Sequence, residues 1–378
     1  MRIRVSHLVF GGLSLLLTAC GPGTPPIDTS SALLPAAALE QWIDAGYIDD
    51  DGAPVVVLYN GEDAELGHIV GAHAGIDKEN RSNGIAIIQG MVLSGPTMDA
   101  AIQDLGIDGD TTVVFTGTNH PSRMRAWWTF RYWGFDRTKL KVLDGTPHRV
   151  MDAAYLTTEA TPAPTPSTYS VADNLVDSSI VATLDEIIDF AAAATTTGSA
   201  VLDVRTADEF YGVRIAGNVF AGHVQGATLI PFTEWLDADG RFIAKEEIEY
   251  SLANPIAGKP IMATDTVYAH CQTATRSGTT MFALLEILGW ENVRNWDGAW
   301  SEWGNMVETA DLQATLDPGV ATNVYLSSAD WNLTANNTAT ISWNMDLITR
   351  PIEVVDSAAL TADAFLVEDR GYTTDATD

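Results

Sequence analysis

Three short motifs recur in this chain at one fixed spacing. Gly67-His68 returns as Gly222-His223, Gly71-Ala72 as Gly226-Ala227, and the helix-stopping Gly134 as Gly289, each pair 155 residues apart (222−67, 226−71, 289−134). A spacing of that size marks a duplicated domain rather than a short solenoid repeat. Each copy runs in the same order: a buried strand (55–59; 200–204), a Gly-His turn, an apolar strand (112–115; 266–269), a helix ending at glycine, then Val142-Leu143-Asp144-Gly145 or Val293-Arg294-Asn295-Trp296-Asp297-Gly298. Strands alternating with helices predict an α/β fold, two tandem domains each with a mainly parallel sheet flanked by helices.

The resulting division is a leader at 1–20, a tether at 21–35, a first copy at 36–156, a Thr- and Pro-rich linker at 157–175, a second copy at 176–305 and an extension at 306–378. The extension holds β-prone pieces at 338–343 and 352–355 but repeats nothing from the copies, and no role follows for it. The leader has Arg2 and Arg4, an apolar stretch from Leu8 to Ala19, then Leu17-Thr18-Ala19-Cys20 before Gly21. This is a secretory signal too short to span a bilayer, and its end resembles the lipobox of bacterial lipoproteins. That resemblance implies lipidation of Cys20 and an exported, membrane-anchored protein facing the periplasm or cell surface. Gly21 in place of Asp favours the outer membrane. Pro22, Pro25 and Pro26 suit a tether to the folded body. Without the leader the charge is 18 − 50 = −32, which argues against nucleic acid as a partner.

Apart from Cys20, Cys271 is the only cysteine, so it has no partner for an intramolecular disulfide or a thiolate metal site; no metal and no cofactor are expected. It lies between the strand 266–270 and a helix carrying Met281, Phe282, Leu284, Leu285 and Leu288, read as amphipathic, with Arg276 five positions on. The loop would aim several amide N–H groups at one point. Those donors, the helix end and Arg276 would together favour thiolate over thiol. A buried structural cysteine is the alternative that this loop context argues against. The offset of 155 maps Cys271 onto Thr116, so the first copy has no thiol there.

At these residues the chain resembles the two-domain rhodanese family, the thiosulfate sulfurtransferases. The resemblance rests on Leu202-Asp203-Val204-Arg205 with Glu209-Phe210, on Gly222-His223-Val224-Gln225-Gly226-Ala227 with Ile230-Pro231, on His270-Cys271-Gln272-Thr273-Ala274-Thr275-Arg276-Ser277, and on the segment Asn295 to Asn305. Arg125-Ala126-Trp127-Trp128 likens the first copy to the family's non-catalytic domain. The resemblance implies that Cys271 takes the outer sulfur of thiosulfate as a persulfide and yields it to cyanide or another thiophilic acceptor, including a protein. Gln272, Thr273, Ala274, Thr275 and Arg276 would bind substrate, with Arg205 as a further candidate. Asp203 would pair with Arg205 as scaffold, His223 would support its turn, and His270 would point away from the sulfur. Trp300 and Trp303 read as core or domain-interface aromatics.

One position departs from the family. Animal members carry a second donor-binding arginine where this chain has Glu209. A carboxylate there is expected to face solvent, leaving the donor to loop amides, Arg276 and Arg214. The loop also lacks the glycines of the mercaptopyruvate enzymes, so thiosulfate is the expected donor over 3-mercaptopyruvate. Two other readings remain. A related phosphatase would need five residues between cysteine and arginine, where this loop has four. A sulfur-carrier lipoprotein would load once without fast turnover.

Overall fold

The computed structural model describes residues 31–48, 54–61, 67–76, 78–82, 87–193 and 197–305. The leader, Cys20, most of the tether and the extension from 306 lie outside the described residues. Two five-stranded sheets are present, each parallel throughout. In space the first runs Leu33–Leu34, Leu140–Leu143, Thr112–Thr116, Val55–Tyr59, His73–Ala74. The second runs Val181–Ala182, Val293–Trp296, Thr266–His270, Ser199–Asp203, Thr228–Leu229. The same order in both sheets is the architecture that the repeat predicts. One boundary moves: Leu33 and Leu34, assigned to the tether, are an edge strand paired with Val142 and Leu143. Two adjacent leucines with one side chain fully buried gain more from the sheet than from solvent.

The linker is bound to the first copy rather than loose. Ser167 donates from its amide to Gln103 O and from its hydroxyl to Ile107 O, and the Gln103 side chain donates to Tyr169 O.

Strand register corrects the internal alignment by one residue. Tyr59 lies opposite Thr116 and Asp203 opposite His270, so Thr116 matches His270 (270−116 = 154) and Cys271 matches Gly117, not Thr116. The second copy has one extra residue between strand and helix end, which a single offset could not reveal. The difference is chemical as well as formal. Gly117 has φ 131°, and a Cβ there would lie 1.9 Å from Asn60 O, so no side chain fits where the second copy carries its thiol. Thr116 is fully buried and donates to Leu58 O at 3.1 Å.

The helix after Cys271 also differs from expectation. Ser277–Phe282 is α-helical, buried at every position, and continues as a π-helical turn over Ala283–Ile287. Its second face is covered by the first copy's helix His120–Tyr132, so the amphipathic pattern gives way to burial all round. Trp127 meets Phe282 edge-on at 5.0 Å, and Phe242 stacks on Phe282 at 5.4 Å. Arg131 and Arg137, both from the first copy, bond to Glu286 at 3.3 and 2.8 Å.

Gly278 sets the helix spacing, because a Cβ there would come within 2.9 Å of the Met124 carbonyl and 3.0 Å of Arg125 N. Backbone on both sides cannot rotate away. Gly278→Ala should therefore lower the unfolding free energy by about 1–3 kcal/mol, the usual range for overpacking. A urea midpoint equal to that of the parent would refute this account of the interface.

Candidate active site

Cys271 follows the central strand of the second sheet, at the carboxyl ends where chain order reverses between Ser199–Asp203 and Thr266–His270. Such reversals form crevices in open parallel sheets. Cys271 is 1% exposed. The loop's carbonyls are held from behind: Cys271 O accepts from Trp300 N at 3.0 Å and Gln272 O from Ser301 N at 2.8 Å, both at the start of the helix Ala299–Trp303. Among the described residues no acceptor meets the backbone N–H groups of Gln272, Thr273, Ala274 or Thr275. The chain turns through Ala274 at φ 51°, a left-handed conformation costly for a residue with a Cβ. The loop is thus built with carbonyls engaged and amides available to an anion.

The Arg276 guanidinium forms a two-pronged pair with Glu209, both bonds 2.7 Å, and the neighbouring Cys271 also favours its charge. Burial opposes the arginine's charge, but Glu209 and the sulfur hold its pKa above the ordinary value. Glu209 therefore does not face solvent as expected. It is 3% exposed and turned inward, because the same carboxylate caps the short helix Ala207–Phe210, accepting from the Thr206 amide and hydroxyl at 3.1 and 2.9 Å. Burial alone would raise the Glu209 pKa. The Arg276 bonds and charge, with help from Thr206, bring it down to about 2. Arg214 is exposed, and its amide bonds to Asp208 O.

Asp203 and Arg205 form a buried pair, with Nη2 to Oδ2 2.6 Å and Nε to Oδ1 3.0 Å. Arg205 also donates to Gly222 O at 2.7 Å and lies 4.3 Å over the Trp300 ring. At 1% exposure its guanidinium is occupied, which makes it a support for the Gly222-His223 turn and not the donor contact entertained from sequence. Burial would raise Asp203, but Arg205 and then His270 bring it to about 2. His223 bonds through Nδ1 to Phe210 O at 2.9 Å and stacks on Phe210 at 3.8 Å, a turn-supporting role. His270 is fully buried and its pKa is lowered, chiefly by burial; its Nε2 lies 3.7 Å from Asp203, too long for a hydrogen bond. Trp300 and Trp303 belong to the core of the second copy.

Several residues that motif reading missed hold the loop. Gln272 and Asn218 exchange side-chain hydrogen bonds at 2.7 and 3.1 Å. Three more come from the first copy: Lys78 donates to Thr275 Oγ1 at 2.9 Å, Gly90 lies against Thr273, and Arg125 donates to Ala274 O at 3.3 Å. A cleft of about 1060 Å³ opens between the copies, lined by Asn60, Lys78, the segment 118–122 and Phe232, and it meets the loop at Thr275 rather than at the sulfur.

The profile of the rhodanese-like domain matches residues 185–306. The sulfur carrier protein TtuD of Thermus thermophilus is 33% identical over 214 residues, 54% of this chain and 72% of its own. This chain belongs to the rhodanese family of sulfurtransferases. A Haloferax volcanii protein provisionally named thiosulfate sulfurtransferase is 31% identical over 57% of this chain and 74% of its own. Among solved structures, the 3-mercaptopyruvate sulfurtransferase SseA of Escherichia coli superposes with a TM-score of 0.55 at 20% identity, over 72% of this chain and 100% of that one. An ergothioneine biosynthesis enzyme of Chlorobium limicola gives 0.58 at 20% identity, over 72% and 68%. Both share the fold.

The inward Glu209 has a consequence for acid stability. Its pKa is about 2 in the folded chain against an ordinary 4.5, so its ionised form stabilises the fold above pH 4.5. That contribution is lost as pH falls towards 2. Glu209→Gln should be less stable at neutral pH and should lose less stability between pH 4.5 and 2 than the parent. Parallel acid-unfolding curves for the two would mean that Glu209 is not paired in solution.

Proposed function

We propose that this sulfurtransferase moves sulfane sulfur from thiosulfate to cyanide or another thiophilic acceptor through a persulfide on Cys271. The observation that carries the reading is the loop from Cys271 to Arg276, with its first two carbonyls tied back, amides from Gln272 to Thr275 that meet no acceptor among the described residues, and the Arg276 guanidinium as a neighbour of the cysteine. In the first half reaction the Cys271 thiolate attacks the outer sulfur of thiosulfate. The donor's S–S bond breaks, sulfite leaves with the electron pair, and a Cys271 persulfide remains. The loop amides and Arg276 hold the charge on the transferred sulfur and on the departing oxyanion. The acceptor then attacks the outer persulfide sulfur and restores the thiolate. No separate general base is required once the thiol is ionised.

A second reading, sulfur carriage to a partner protein, draws support from the name of the Thermus relative. Steady-state thiocyanate formation separates the two, since a carrier loads once and stalls.

Cys271→Ser should abolish sulfur transfer and persulfide formation, read as one added sulfur by intact mass, while leaving the melting temperature near that of the parent. Thr116→Ala should keep parental turnover, and a severe loss would give the first copy a chemistry denied to it here. In competition, kcat/KM should favour thiosulfate over 3-mercaptopyruvate. A tenfold or greater preference for mercaptopyruvate would overturn the donor and leave the persulfide standing.

The same proposal places the protein outside the cytoplasm on a lipid anchor at Cys20, and most simply at an outer membrane. Labelled palmitate should enter the parent and not Cys20→Ser. Equal labelling of both would remove the anchor.

A further inference from the structure

We infer that Arg125, a residue of the thiol-less first copy, is a positioning residue for the sulfur chemistry of the second, so that the first copy is a working part of the site. The inference rests on the reading of Cys271 as the sulfur-accepting nucleophile. Arg125 lies within the helix His120–Tyr132 and is 3% exposed. Its guanidinium gathers three acceptors from three separate segments: Ala274 O at 3.3 Å, Gly90 O at 2.9 Å and Asp297 Oδ1 at 2.5 Å. The back of the fork lies 4.8 Å over the Trp128 ring. Asp297 completes the tie by accepting from Val92 N at 2.9 Å.

The contact at Ala274 is the informative one. Ala274 is the residue whose positive φ reverses the loop, and a non-glycine residue keeps that conformation only when its surroundings over-determine it. Capturing its carbonyl fixes the peptide plane joining Ala274 to Thr275, and with it the direction of the Thr275 amide. Gly90, itself at φ 73°, presses on the same segment, with its Cβ position 3.0 Å from Thr273 Cβ. The helix Ala299–Trp303 holds the loop's first two carbonyls from within the second copy. The carbonyl at the turn is held from the first. A lysine could satisfy one of these acceptors but not three in one plane.

The test compares Arg125→Gln and Arg125→Lys with the parent in the full chain, reading melting temperature, alkylation of Cys271 by iodoacetamide against pH, and single-turnover loading from thiosulfate. Arg125→Gln should slow loading by at least about tenfold, the scale set by loss of one anion-stabilising donor. Its KM should stay within about threefold, as expected for an interaction that matters at the transition state. The alkylation profile should move to higher pH, and Arg125→Lys should recover only a small part of both effects. A folded Arg125→Gln with the parent's loading rate and alkylation profile would overturn the inference. If Arg125→Gln does not fold, Asp297→Asn carries the test, since it releases the guanidinium without emptying its place; the same shifts support the inference and parental behaviour overturns it. Alkylation needs no sulfur donor. A shifted profile in a protein whose parent never gains sulfur would therefore fail the persulfide reading and leave the positioning role intact.

Discussion

A loop can offer several amide hydrogens to one sulfur only if its carbonyls point elsewhere and find partners there. Peptide planes are rigid, so turning an N–H inward turns the preceding C=O outward, and a buried carbonyl left without a donor costs stability. Much of the surrounding structure serves that requirement. The helix Ala299–Trp303 opens with two amides that take the carbonyls of Cys271 and Gln272, and Arg125 takes that of Ala274. Asn218 fixes the Gln272 side chain, so the loop is held along its whole length.

The duplication acquires a physical meaning from this. A single copy would leave the helix after Cys271 with an exposed apolar face and its loop without Arg125, Gly90 and Lys78. Packing the two equivalent helices together, spaced by Gly278, buries that face and brings the first copy's groups against the loop from Cys271 to Arg276. What the first copy supplies to that loop is contact. At Gly117 the lack of a thiol is built into the backbone, where the approach of Asn60 O leaves no room for a side chain.

The chain's periodic features were legible because each rests on local chemistry. The alternation of strands with glycine-stopped helices gave the two sheets, and Val55–Tyr59 lies where its β-branched run placed it. The family resemblance implied the pairing of Asp203 with Arg205, and a hydrogen bond of His223 within its turn was expected; both contacts are present. Contacts between copies left no such trace. Arg125 is an arginine inside an aromatic helical run, and nothing in its neighbours says that Ala274 lies 149 positions ahead. Glu209 misled for a related reason. Its substitution for a donor-binding arginine invited the inference that a carboxylate must avoid the site, whereas Thr206-x-x-Glu209 is a capping box that fixes it facing Arg276. The capping signal was in the sequence, and the pairing with a partner 67 residues on was not.

The inward Glu209 changes the charge balance that a donor meets. The charges of Arg276 and Glu209 cancel, and Asp203 and Arg205 cancel behind them. Lys78 of the first copy, donating to Thr275 Oγ1 at 2.9 Å, adds a positive charge at the loop's edge. On the proposed reading fixed amide dipoles would share in binding the donor, and such dipoles act well only where water is excluded and where they need not reorganise. That places the burden of recognition on the loop's shape and makes the devices that hold the shape part of the chemistry. It also explains why the residue at 276 is arginine. A planar fork can keep both oxygens of Glu209 in one two-pronged pair, which an ammonium on a flexible stem cannot do.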